Sequence, residues 1–201
     1  MTSNNLVKRW VTFSPVTTDR IRVKVTGALG GYSRITEIEA WTSSTTNVAA
    51  SGNGGVASAS SSYGGAYPVS AINNGERAGA GWGSGGGWAD ATNNAYPDWV
   101  QVTFSGQQTI DQVVVYTVQD NWASPVEPDD TSTFASWGVS GFQVQAWNGS
   151  AWNTVATVTG NNLVKRRLMF PSVTTDRVRV NVTSALGGYS RITELEAWTA
   201  P

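Results

Sequence analysis

The segment Ala80-Gly81-Trp82-Gly83-Ser84-Gly85-Gly86-Gly87-Trp88 sets two indoles in a frame of glycines. An exposed indole is a large, rigid plate that complements the flat C–H face of a pyranose ring. Glycines around it leave the approach unobstructed. The competing reading is that Trp82 and Trp88 plug the end of an apolar core, and the residues alone weigh both readings equally. A second cluster runs from Gln119 to Pro128 and carries Gln119, Asp120, Asn121, Trp122 and Glu127. Sugar hydroxyls need paired donors and acceptors, which amides and carboxylates supply. Pro125 and Pro128 stiffen this stretch and reduce the ordering cost of binding. Its alternative is a solvated loop whose Asp and Asn cap turns; the position between two strands favours the binding role. Tyr189 and Arg191 follow the Gly187-Gly188 pair, and a guanidinium can fork onto two adjacent hydroxyls. The alternative for Arg191 is an ion pair with Glu194 or Glu196. The candidate ligand-binding set is therefore Trp82, Trp88, Gln119, Asn121, Trp122, Glu127, Tyr189 and Arg191, with a glycan as the expected partner.

Other chemistries are poorly served. The 201 residues contain no histidine and no cysteine, which removes His-based triads, most zinc sites and thiol nucleophiles. The closely spaced carboxylates, Glu194/Glu196 and Asp129/Asp130, are neighbours along the chain, whereas acid–base catalysis needs two groups facing each other across a cleft. No catalytic residue is expected. A net charge of −1 with 13 scattered basic residues argues against a nucleic-acid partner, which would demand a basic face. No apolar run reaches the length of a membrane span. Charged residues make up only 13 % of the chain, while Gly, Ser, Thr and Asn are plentiful; that balance suits short strands and turns rather than a helical bundle.

The elements that must position these residues are read from an internal repeat. Residues 1–42 return as residues 158–199 at a constant offset of 157, with 31 of 42 positions identical. A unit of that length is one domain rather than a solenoid repeat. Within it Arg177-Val178-Arg179-Val180-Asn181-Val182 alternates with the period of a half-buried strand. The first copy predicts three strands, at about 5–13, 20–26 and 34–41, repeated near the C-terminus, with the paired glutamates facing outward. Alternation or β-branching also marks Trp99–Phe104, Ile110–Val118 and Phe142–Trp147 as strands. Asn148-Gly149 predicts a hairpin whose loop is Asn148 to Ala151. Residues 51–96, rich in Gly, Ser and Asn but punctuated by Tyr63, Tyr67 and other aromatics, read as long ordered loops. The expected fold is all-β, an antiparallel sandwich.

The order of these segments resembles the discoidin family, also called the coagulation-factor type C fold, whose bacterial members include many carbohydrate-binding modules. Asp98-Trp99-Val100-Gln101-Val102-Thr103-Phe104 is similar to the family strand that opens with Trp, and Ile110 to Tyr116 to the strand after it. The Trp147–Trp152 hairpin and Arg177-Val178-Arg179-Val180 follow in the family's order. Ser190-Arg191-Ile192-Thr193-Glu194-Leu195-Glu196-Ala197-Trp198 matches its closing strand. The resemblance spans about residues 47–199. It implies a jelly-roll β-sandwich of galactose-binding-like type over 44–201, with 1–43 as a partial copy of the C-terminal strands. It also implies non-catalytic glycan binding through loops at one end, in a secreted or extracellular setting within a larger microbial protein. Many members hold a structural calcium, and Ala71-Ile72-Asn73-Asn74-Gly75-Glu76 resembles the metal loop. Asn74 stands where an aspartate usually precedes the glycine; its amide oxygen is a neutral Ca²⁺ ligand, so Glu76 or Glu194 would have to supply charge. Three strands cannot bury a core alone, so residues 1–42 are expected to drive self-association. The alternative function is a structural or adhesive repeat, which would be favoured if Trp82, Trp88 and Trp122 were buried and no groove remained.

Overall fold

Within residues 44–201 strands form where the alternation predicts them, and the inward residues make the core. Among the described residues there are seven: β1 (Val56–Ala59), β2 (Trp88–Ala89), β3 (Asp98–Thr117), β4 (Val139–Trp147), β5 (Trp152–Val158), β6 (Lys165–Ala185) and β7 (Arg191–Thr199). The computed structural model describes residues 4–9, 11, 18–40 and 46–200. Val100 and Val102 of β3, Val144 of β4, Val178 and Val180 of β6, and Leu195 of β7 are fully buried in one apolar cluster. Burying each such side chain is worth about 1.5–3 kcal/mol, and this apolar burial does most to hold the layers together.

All pairings are antiparallel, and β3 and β6 are long enough to serve both layers. The first part of β3 lies between β1 and the second part of β6; that part of β6 pairs in turn with β4, and β4 with β5. The second part of β3 lies between β7 and the first part of β6, and β2 closes the layer beside β7. Register shifts in the β3–β6 ladder at Thr103/Gln108 and Ile110/Gln112 mark the corner where both strands pass from one layer to the other. The segments expected as separate strands at 99–104 and 110–118 are thus one strand with a bent middle. So are the two that precede the closing strand in the second copy. The hairpin is as expected: Asn148 N–H donates to Ala151 O at 3.0 Å, and Gly149 takes the positive φ of 98° that the turn requires.

Two expectations need correction. The loop region 51–96 also contains the short strands β1 and β2, which glycine- and serine-rich sequence does not advertise. The chain divides into two units, 1–43 and 44–201, and the described residues of the first do not form the three predicted strands. Among its described residues the only regular element is a 3-10 turn at Leu29–Gly31, and Leu6, Val7, Ile21, Val23, Val25 and Ile35 are exposed. Strands are held by partners on their edges and faces, and the same sequence forms β6 and β7 only where β3, β4 and β2 supply them.

Candidate functional site

Four loops meet at one end of the sandwich, where β3 finishes, β7 begins and the β4 and β6 ends pair. Thr117 locks this end: its hydroxyl donates to Arg191 O at 2.7 Å and accepts from Val139 N–H at 2.9 Å. The loop after β2 is tied in by Tyr96, whose hydroxyl bonds both the N–H (3.1 Å) and the carbonyl (3.2 Å) of Ala185. Asp90, buried in the same loop, accepts from Ser190 N–H at 2.6 Å and from Thr92 N–H and hydroxyl; Asp98 accepts from Ser190 Oγ at 2.8 Å. Burial pushes the Asp98 carboxyl above its usual range, and the Asp90 charge adds to this. These carboxylates pin the loops to one another.

The loops frame a cleft of about 310 Å³ lined by Tyr63, Tyr67, Trp82, Ala89, Val118, Trp122, Trp137, Tyr189 and Arg191. That is the small end of ligand sites, roughly 300–1,000 Å³, and suits one or two sugar rings. One wall is a chain of rings: Tyr189 to Tyr63 at 5.4 Å, Tyr63 to Tyr67 at 5.8 Å, Tyr67 to Trp82 at 5.2 Å between centroids. At the Tyr189 end of this wall, the Arg191 guanidinium lies 5.2 Å from the Trp137 ring centre and 5.4 Å from that of Tyr189, within cation–π range. Its Nη1 donates to the carbonyls of Leu186, Tyr189 and Trp137, and its Nη2 to Gly187 O. Burial pulls its pKa below the ordinary range, opposed by the Asp90 carboxylate. Gly187, at φ 67°, is required beneath the Trp137 ring, because a Cβ there would come within 2.5 Å of Cε3. Of the described residues lining the cleft, Arg191 alone carries a charge.

The structure brings Trp82, Trp122, Tyr189 and Arg191 together, and separates the rest of the predicted set. Trp122 is 46 % exposed at the rim. Trp88 is not a binding platform: it is 0 % exposed in the core, with Nε1 donating to Ser61 O at 2.8 Å and Ser62 Oγ at 3.1 Å. Trp82, by contrast, is half-buried and lines the cleft. Gln119 is also buried; its amide donates to Ala78 O (3.0 Å) and Val126 O (2.7 Å), joining two loops rather than facing a ligand. Asn121 donates to Ser124 O within its own turn, the capping role. Glu127 meets Arg77 at 3.5 Å and does not line the cleft. Tyr63, Tyr67 and Trp137 were not among the sequence candidates, although aromatic residues stranded among Gly and Ser were the available signal.

Arg191 does not pair with Glu194 or Glu196. Glu196 binds Arg77 Nε at 2.6 Å instead. Both glutamates point away from the core as the alternation requires, yet both are buried, Glu194 at 0 % exposure, because the loop carrying Gly75 and Arg77 lies over them. Both Glu194 oxygens accept from the single Gly75 N–H, at 3.1 and 3.2 Å, and burial pushes its carboxyl up to about 8. Asn74 is in the same turn, its Oδ1 accepting Glu76 N–H at 2.8 Å. Glu76 is turned elsewhere: its carboxylate accepts the N–H groups of Ala78, Gly79 and Ala80. A buried carboxylate short of counter-charge fits a hard cation, whereas Glu76 already accepts three backbone N–H groups. Among the described residues no three acidic side chains cluster, so any such site would lean on Glu194, the Asn74 amide and backbone carbonyls.

Several solved structures share the fold. Chitosan-binding module 1 from the chitosanase/glucanase of Paenibacillus sp. IK-5 matches with a TM-score of 0.57 at 23 % identity, over 77 % of this chain and 99 % of that one. Chitosan-binding module 2 of the same enzyme, solved with chitotriose, matches at 0.57 and 18 %, over 76 % and 99 %. The family 32 carbohydrate-binding module of C. perfringens NanJ, solved with galactose, matches at 0.53 and 19 %, over 72 % and 93 %. No curated protein matches the chain in sequence. The sequence profile of the F5/8 type C domain matches residues 56–195. By that match, spanning the sandwich from β1 into β7, the chain belongs to the F5/8 type C domain family.

Proposed function

We propose that the sandwich of residues 44–201 is a non-catalytic carbohydrate-binding module, and that the four-loop cleft is its glycan site. The observation that carries the reading is the pairing of an open wall of aromatic rings with one fixed guanidinium. The rings offer C–H stacking surfaces, the tyrosine hydroxyls both donate and accept, and Arg191 supplies charged donors to hydroxyls. The three similar structures, each a module that binds chitosan or another carbohydrate, support it. Because Arg191 is the one charged side chain among the described lining residues, a neutral or acidic glycan fits this cleft better than a glucosamine polymer, whose ammonium groups it would repel. Such a module serves a larger secreted microbial protein, adding weak single-site affinity that neighbouring modules multiply.

Calcium belongs to the same proposal as a structural ion at Glu194 and Asn74, where it would neutralise the buried carboxylate and brace the loop over β7. Chains would associate through the exposed apolar residues of unit 1–43. The test of function is affinity electrophoresis through gels of neutral, acidic and cationic polysaccharides. Retention in a neutral or acidic gel, cut roughly 5- to 100-fold in Trp122→Ala, is expected from the loss of one stacking platform of about 1–3 kcal/mol. Unchanged retention in that variant, or retention by chitosan alone, would reject this assignment of the cleft.

A further inference from the structure

Residues 158–199 are the part of the sandwich that the chain carries twice, and the structure shows what each position in that stretch must satisfy. The buried apolar residues Val164, Phe170, Val180, Val182, Ile192 and Ala197 have identical counterparts in Val7, Phe13, Val23, Val25, Ile35 and Ala40. The buried polar residues Asn161, Thr175, Ser190, Thr193, Glu194 and Glu196 have identical counterparts in Asn4, Thr18, Ser33, Thr36, Glu37 and Glu39. The differences avoid the places where they would be felt. Gly160, Arg167, Met169, Pro171 and Ser172 are exposed, and Leu168, Asn181 and Ser184 are half-buried. At the three buried differences, Val158, Val178 and Leu195, the first copy has Met1, Ile21 and Ile38, apolar for apolar. Volume-conserving apolar swaps of this kind are tolerated in cores, and Gly27, standing for Ser184, forgoes a part-buried hydrogen bond to Ser140 Oγ rather than a fully buried one.

The connection is also available. At the end of β7, Thr199 N–H donates to Thr46 O at 3.0 Å, Val48 N–H donates to Ala197 O at 2.8 Å, and Asn47 bridges Trp198 antiparallel. In the first copy Thr42 stands for Thr199, so only Ser43, Ser44 and Thr45 separate it from Thr46. A three-residue loop between antiparallel neighbours is a common hairpin connection, and so short a tether gives the first copy a high effective concentration.

We propose that residues 1–42 and 158–199 are alternative occupants of one place in the module. Residues 1–42 of the same chain can replace β6 and β7, entering through a 43–45 hairpin and releasing the C-terminal copy. The exchange is silent at the cleft, because Tyr32 and Arg34 stand for Tyr189 and Arg191 within the run 28–37 that repeats 185–194 without change. Either copy can therefore be the free one, and whichever lies outside the module is the segment available to other molecules.

The test uses the full chain and non-additivity. Val180 is fully buried and Val23 is its counterpart. V23D should melt like the parent, V180D should retain a cooperative transition, and V180D/V23D should lose it. A direct reporter follows from the register: Gln101 of β3 faces Arg179 of β6, Arg22 is the counterpart of Arg179, and the chain has no cysteine. Cross-strand neighbours lie within disulfide reach, so Q101C/R22C in the V180D background should form an intrachain disulfide, seen as a faster monomer band on a non-reducing gel. Unfolding of V180D alone overturns the proposal. So does a V180D/V23D chain that melts like the parent, or a disulfide that is absent or runs between chains.

Discussion

Trp88→Ala separates a core role from a ligand role more sharply than any other substitution in this chain. The indole lies in β2 with Trp88 paired to Ile192, is fully buried, and donates through Nε1 to Ser61 O and Ser62 Oγ. Truncating a buried aromatic to Ala costs about 3–5 kcal/mol, from lost apolar burial and the cavity left behind. Losing the shared N–H donor adds about 1 kcal/mol, the larger part from the Ser61 carbonyl left inside. A domain of this size loses about 2–4 °C of melting temperature per kcal/mol, so the variant should melt roughly 10–20 °C below the parent. Trp88→Phe fills most of the space without the N–H and should fall between. Thermal unfolding followed by circular dichroism reads the shift, and affinity electrophoresis well below the melting point reads retention of glycan, which should change little. A melting temperature within about 2 °C of the parent together with lost retention would place Trp88 at the ligand and refute the packing argument.

Arg191→Lys should lose most glycan retention despite keeping the charge, because an ammonium cannot bridge the carbonyls of Leu186, Gly187, Tyr189 and Trp137 while lying against two rings; full retention would mean that charge alone matters. EDTA should lower the melting temperature, added calcium should restore it, and Glu194→Gln should abolish both responses, whereas melting indifferent to EDTA and calcium retires the metal proposal. Light scattering should give a dimer or larger for residues 1–201 and a monomer for 44–201; two monomers with the same melting temperature would make residues 1–43 a passenger.

What the sequence made legible is local, and what it hid is made by distant parts of the chain meeting. Alternation in Val178, Val180 and Val182 reports which face of β6 is inward because the side-chain period of a strand is fixed at two. Asn148-Gly149 reports a turn because few other residues accept its backbone angles. The same alternation correctly turned Glu194 and Glu196 away from the core, yet it says nothing of a loop from a distant stretch of the sequence lying over them. Hence a carboxylate read as outward-facing is buried and pushed up to about 8. Trp82 and Trp88 share one glycine frame and diverge only because β2 pairs with β7, a contact between segments far apart in sequence. The repeat is the instructive case. Two stretches with 31 of 42 residues in common have different outcomes, strands in one and exposed chain at the described residues of the other, so the difference lies in neighbours rather than in propensity. Since those neighbours accept either copy, the identity of the two stretches is a statement about competition for one place.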